Sequence, residues 1–215
     1  MTVVFGLTVP SGQSFSTTFQ TIETPLSESG SWTNTVSGTW NAPVQVFALG
    51  KACSSAGGTG FNDSVAMLTG TWGNTQVMTA VVYSQDVNVN EVECHGRMNM
   101  IPGSPDQIHS YEFDWIPGFL QLVRWDGPQG TFVPLVASVA TPTLTDGDIL
   151  ECSVSGPVGA VVLTAKLNGS LVQTFTDTDS TNGIGSGAPG IGFEYRTTSA
   201  DAKNIGFKSF SVVTS

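Results

Sequence analysis

Hydrophobic and polar residues alternate along this chain far more often than they recur every three or four positions. In "VVLTAKL", Val161, Leu163, Ala165 and Leu167 share one parity, and Val162, Thr164 and Lys166 share the other. A period of two marks strands with one buried face. The same reading predicts strands over Thr2–Leu7, Val44–Ala52, Ser64–Leu68, Gln76–Tyr83, Glu91–Met98, Ser110–Ile116, Leu120–Trp125, Thr131–Ser138, Ile149–Val154, Val161–Leu167, Leu171–Phe175, Gly190–Tyr195 and Ile205–Val213. Turn formers punctuate them: "PGSP", "IPG", "WDGPQG", "TDGD", "SGPVG" and "LNGS". Asn168-Gly169, between "VVLTAK" and "SLVQTF", has the two positive-φ formers of a tight type I′ hairpin.

So many short strands in 215 residues predict one all-β domain built as two stacked antiparallel sheets, a jelly-roll β-sandwich. No linker divides the chain. The Ser/Thr/Gly-rich stretch from Ser27 to Gly38 resembles one, but Trp32 within it and Trp40 beside it argue for packing. Residues 1–13 read as an N-terminal extension carrying an extra strand, and 14–215 as the domain proper.

The order of motifs adds a resemblance. "FSTTFQTIETPLSESGSWTNT", "YEFDWIPGFLQLVRWDG", "LTDGDILECSVSG", "LTAKLNGSLVQTFTDT", "GAPGIGF" and "IGFKSFSVV" resemble, in sequence, the strands of the concanavalin A-like, laminin-G-like domains of bacteria and phages, from about Ser14 to Val213. The resemblance implies a concanavalin A-like lectin/glucanase jelly roll. That group holds lectins, carbohydrate-binding modules, glycoside hydrolases, polysaccharide lyases and virion parts, so it specifies a fold rather than an activity.

Composition narrows the partners. The net charge is −10, with seven Lys plus Arg. Too few cations are present to replace phosphate counterions, so nucleic acid and anionic membranes are not expected partners. No apolar run approaches the roughly 18–20 residues of a membrane-spanning helix. The start "MTVVFGLTVPSGQSF" lacks a basic segment, which predicts no signal peptide and cytoplasmic synthesis. Cys53, Cys94 and Cys152 are odd in number and widely spaced. They predict no disulfide framework and no zinc motif, and Cys94 and Cys152 read as small buried hydrophobes.

The densest chemistry lies in "NEVECHGRMNM". Glu91, Glu93, His95 and Arg97 share a parity, so one strand face would carry four ionisable groups about 6–7 Å apart along the chain. Retaining glycosidases need two carboxyl groups about 5–5.5 Å apart, which makes Glu91 and Glu93 a candidate pair. Laminarinase-like relatives on this fold carry an E-x-D-x-E row, and here it reads E-x-E-x-H. In "YEFDW", Tyr111, Phe113 and Trp115 read as core, which places Glu112 and Asp114 on the opposite face, beside Glu93 and His95. Gln107, Ile108 and His109 match a three-residue strand motif of alginate lyases, without that family's other catalytic strands. Trp72, at a loop tip, and Trp125, at a strand end, are candidate sugar-stacking residues.

"TDTDSTNGIGSGA" raises calcium. Asp177 and Asp179 stand at ligand spacing and are the candidate metal residues. An EF-hand count fails at Asn182, where glycine is required, and at Ala188, where glutamate is required. No other cofactor is expected. There is no phosphate loop, no nucleophile elbow and no triad pattern. The expected function is therefore a non-catalytic β-sandwich that serves as a structural or surface-interaction protein of an assembly. A phage virion is the expected setting, with display on its surface, contacts to other virion proteins or to copies of itself, and glycan binding through Glu91, Glu93, His95, Arg97, Glu112, Trp72 and Trp125. A carbohydrate-binding module or lectin is the alternative, followed by a glycoside hydrolase using Glu91 and Glu93.

Overall fold

Sixteen strands form two antiparallel sheets of eight in the computed structural model, which describes residues 12–35, 42–55, 62–85, 90–101, 103, 107–195 and 201–215. The back sheet runs β14 (Ser170–Asp177), β13 (Val161–Leu167), β12 (Ile149–Ser155), β6 (Gln76–Ser84), β16 (Ile205–Thr214), β4 (Lys51–Ser54) and β3 (Val44–Ala48), with β1 (Ser14–Thr17) also on β16. The front sheet runs β10 (Phe132–Pro134), β9 (Phe119–Pro128), β8 (Gln107–Ile116), β7 (Asn90–Ile101), β15 (Ala188–Tyr195), β5 (Asn62–Leu68) and β2 (Trp32–Asn34), with β11 (Val139–Ala140) also on β9. Among the described residues, the one helical piece is a 3-10 turn at Asp201–Lys203. The fold is thus the all-β jelly-roll sandwich that the alternation predicts.

The core lies between the sheets. Val92, Cys94, Phe113, Trp115, Leu122, Ile191 and Phe193 face inward from the front, and Met78, Ala80, Cys152, Val154, Leu163, Phe207 and Phe210 from the back. Burying each larger side chain of this kind stabilises by about 1.5–3 kcal/mol. Asn168 (φ 51°) and Gly169 (φ 80°) close the β13–β14 hairpin with Leu167 opposite Ser170, as the sequence predicts.

Three expectations change. The strand Val44–Ala52 is two strands, because Leu49-Gly50 turns the chain, with Gly50 at φ 70°. Thr131–Ser138 holds only the short β10, and β11 follows it. Ser14–Thr17 and Trp32–Asn34 are strands too short for periodicity to find, although Trp32 is buried as argued. The expected strand Thr2–Leu7 and Trp40 lie outside the described residues.

An acidic cavity on the outer face of the front sheet

β7 delivers the row that the sequence predicts, up to His95. Register extends it across four strands. His95 pairs with Glu112 and Glu93 with Asp114 on β8. On the other side Glu91 pairs with Glu194 and Glu93 with Gly192 on β15, and Glu194 pairs with Asp63 on β5. Paired residues point to the same side of a sheet. The outer face of the front sheet therefore gathers Asp63, Glu91, Glu93, Glu112, Asp114 and Glu194 around His95. All seven are buried, at 0–7% exposure. The row is therefore covered, not open to solvent.

The cover comes from the turn between β9 and β10. Gln129 Nε2 donates to Asp63 Oδ2 at 2.8 Å, reaching a strand separated from β9 by β8, β7 and β15. Phe132 packs on Trp125, with ring centroids 5.2 Å apart. Beneath lies a cavity of about 460 Å³, lined by Glu91, Glu112, Asp114, Gln121, Trp125 and Phe132 among others. Asp63 and Glu194 complete the acidic lining. No motif marks Asp63 or Glu194, and only the sheet register brings them in.

Hydrogen bonds fix the centre. His95 stands between Ser110 Oγ at Nδ1 and Glu93 Oε2 at Nε2, both at 3.0 Å. This serine–histidine–glutamate line is not a nucleophilic triad: Ser110 is fully buried, so its hydroxyl orients the imidazole. Trp125 Nε1 donates to Glu112 Oε2 at 2.6 Å. Burial, and then the charge of Glu93, push the Glu112 carboxyl up to about 8. Burial lowers His95 below its ordinary value, opposed by Glu112. Glu112 is thus mostly protonated at neutral pH, able to donate as well as accept.

That shift sets a pH dependence. A carboxyl whose folded pKa is raised stabilises the fold most below its unfolded value, near 4.5, and loses that contribution as pH rises through about 8. His95 works in the opposite sense, since its lowered value contributes stability above about 6.5 that is lost on acidification. Glu112→Gln isolates the first effect by freezing the neutral form. Its melting temperature should match that of the parent near pH 5 and exceed it near pH 9, and equal offsets at both pH values would contradict the assignment.

Glycine makes the packing feasible. A Cβ on Gly192 would stand 2.0 Å from Glu93 Oε2 and 2.7 Å from His95 Nε2. Gly192→Ala must therefore displace the Glu93–His95 pair, and overpacking of this kind costs about 1–3 kcal/mol. Chemical denaturation should show that loss. The alternation Gly190-Ile191-Gly192, outward glycines about an inward Ile191, was a legible sign that something approaches the strand closely.

Arg97 does not belong to the row. The β7–β8 register slips between Gly96 and Asn99, and Arg97 sits at φ 51°. This bulge turns its side chain away from the acids. The guanidinium donates instead to the carbonyls of Asn74 (2.8 Å), Ile184 (2.9 Å) and Gly156 (2.6 Å), fully buried. Beyond the slip Met98 joins Val65, Ile108, Val123 and Trp125 in an apolar cluster on the outer face.

Trp72 is also elsewhere. It is half-buried against the main core, its Nε1 donates to Thr69 O at 2.9 Å, and it lines a separate groove of about 880 Å³ with Met67, Met98, Met100 and His109. Asp177 and Asp179 already hold a cation, the Arg124 guanidinium, at 3.0 Å each. Tyr111 Oη adds a bond to Asp177 at 2.8 Å, and Asp179 accepts the N–H groups of Thr181 and Asn182. Their spacing reflects a self-bonded turn tied to Arg124 instead of a calcium loop. Donor atoms at metal-ligand spacing, within 4.8 Å of one another, occur in two overlapping trios of the acidic cluster: Glu93, His95, Glu112 and Asp63, Glu91, Glu93.

Comparison with solved structures places this architecture. The carbohydrate recognition domain of Emp46p superposes with a TM-score of 0.60 at 8% identity, covering 91% of this chain and 94% of that one. β-Agarase A from Zobellia galactanivorans gives 0.56 at 13%, covering 97% of each. The CBM2 module of the evolved Dit of Lactobacillus casei BL23 phage J-1 gives 0.55 at 11%, covering 94% and 96%. The fold is the concanavalin A-like jelly roll. Comparison with protein-family models and with curated protein sequences finds no match.

Proposed function

We propose that this chain is a non-catalytic glycan-binding β-sandwich whose ligand occupies the acidic cavity of the front sheet. The observation that carries this reading is the pairing of hydrogen-bonding groups (Glu91, Glu112, Asp114 and Gln121) with the Trp125–Phe132 aromatic wall in one cavity. Carboxylates accept bonds from sugar hydroxyls, protonated Glu112 donates one, and the aromatic rings meet the apolar C–H face of a sugar. A volume of about 460 Å³ falls within the range of small-ligand pockets, about 300–1,000 Å³. Clustered carboxylates disfavour uronate and sulfate groups, so the ligand is a neutral glycan.

A glycan array spanning neutral glucans and galactans, agaro-oligosaccharides and uronans tests this. Binding should be confined to neutral chains and fall more than about tenfold in Trp125→Ala, the loss of a desolvated aromatic contact worth at least about 1.4 kcal/mol. Silence across the array, or binding that survives Trp125→Ala, overturns it.

The setting we propose is the surface of an assembly such as a phage virion, reached after cytoplasmic synthesis, with virion proteins or further copies of the chain as partners. Its support is the likeness to a module of a phage Dit. A native mass equal to one chain would count against it. Glycoside hydrolysis is the second reading, favoured by one observation: Glu112, largely protonated at neutral pH, stands beside Glu93. A carboxyl held protonated beside a second carboxyl group fits the acid and nucleophile of retaining hydrolysis. Release of reducing ends that stops in both Glu112→Gln and Glu93→Gln would replace the binding reading with this one.

A further inference from the structure

Two buried thiols take no part in the cavity. Cys94 lies on the inner face of β7 and Cys152 on the inner face of β12, both fully buried and unbridged. Sandwich sheets usually stand about 10 Å apart, but Cα atoms of these two strands approach to within 8 Å. The cause lies two residues further along each strand. Gly96 presses on Val154 so tightly that a Cβ there would stand 2.4 Å from Val154 Cγ2. The same step back on both strands sets Cys94 facing Cys152 within the core.

We propose that Cys94 and Cys152 form a preorganised latent disulfide, which a small-molecule disulfide oxidant closes into a covalent tie between the two sheets. One cysteine thiolate attacks the oxidant's S–S bond, giving a mixed disulfide and releasing one thiol. The second thiolate attacks the protein sulfur of that mixed disulfide, forming the Cys94–Cys152 bond and releasing the second thiol. The protein loses two electrons, the oxidant gains them, and the two cysteine protons end on the released thiols.

The neighbouring Cys152 thiol and then burial hold the Cys94 thiol well above its ordinary range, and only a thiolate attacks. Closure therefore accompanies folding or opening of the sandwich. Cys53 is excluded by position: it lies on β4, its Sγ donates to Ser54 O at 3.2 Å, and burial pushes it up to about 12.

The test refolds the full chain from urea in a glutathione buffer of graded disulfide content, with alkylation under denaturing conditions. Oxidised product should be about 2 Da lighter by intact mass, mapping should join Cys94 to Cys152, and Cys53 should be alkylated. Cys53→Ala should close the same bridge, and Cys152→Ala should leave Cys94 alkylated. The bridge spans a long loop and should raise Tm by about 5–10 °C. Three alkylated thiols at every disulfide content, stable glutathione adducts in place of the bridge, a bridge through Cys53, or a Cys94–Cys152 bridge that lowers Tm would each overturn the proposal.

Discussion

Arg97→Ala should cost about 3–5 kcal/mol, because three buried carbonyls lose a charged donor at once. The guanidinium satisfies three carbonyls from three separate segments: Asn74 before β6, Gly156 after β12 and Ile184 in the loop leading to β15. Truncation leaves those acceptors buried without a donor, at about 1–3 kcal/mol each where water does not reach them. Its own N–H bonds Gln76 Oε1, and Gln76 Nε2 goes on to Gly187 O. The backbone half of this node survives the substitution, so folding should be weakened without a change of topology. Arg97→Lys should recover only part of the loss, because an ammonium cannot present the planar fork that these directions require. Urea denaturation of the three chains checks both statements, and a loss under about 1 kcal/mol for alanine would show the carbonyls to be hydrated.

The second large effect belongs to Arg124. Its guanidinium meets Asp126 (2.9 Å), Asp177 (3.0 Å) and Asp179 (3.0 Å), with Asp177 only 4% exposed. Arg124→Leu strands Asp177 as a buried carboxylate that keeps the Tyr111 hydroxyl. The expected loss is again about 3–5 kcal/mol. Asp177→Asn in the same chain should return much of it, since the uncompensated charge goes with the carboxylate. A double-mutant cycle reads the difference, and a coupling near zero would contradict the assignment.

Sheets were easier to read than the site. Strands such as Val161–Leu167 were legible because one face is buried and the other is not, so a period of two survives in the residues. β1 and β2 were not, being too short for any period to register. Within β7, parity placed Glu91, Glu93 and His95 together, and "YEFDW" placed Glu112 and Asp114 on the facing side. The same parity failed at Arg97, because a bulge adds a residue without any mark in composition. Asp63 and Glu194 arrive by lateral pairing of strands distant in sequence, which no local pattern encodes. Asp177 and Asp179 misled for a different reason: calcium spacing and an aspartate turn bonded to its own N–H groups look alike until the partner, Arg124, is visible.

The turn that carries Gln129 across to Asp63 has a consequence in time as well as in shape. A molecule cannot slide laterally onto a face that is bridged from one side to the other. For a molecule bound beneath that turn, the need for the bridge to part would slow arrival and departure alike. Residence would then depend on the motion of a short turn as well as on equilibrium affinity.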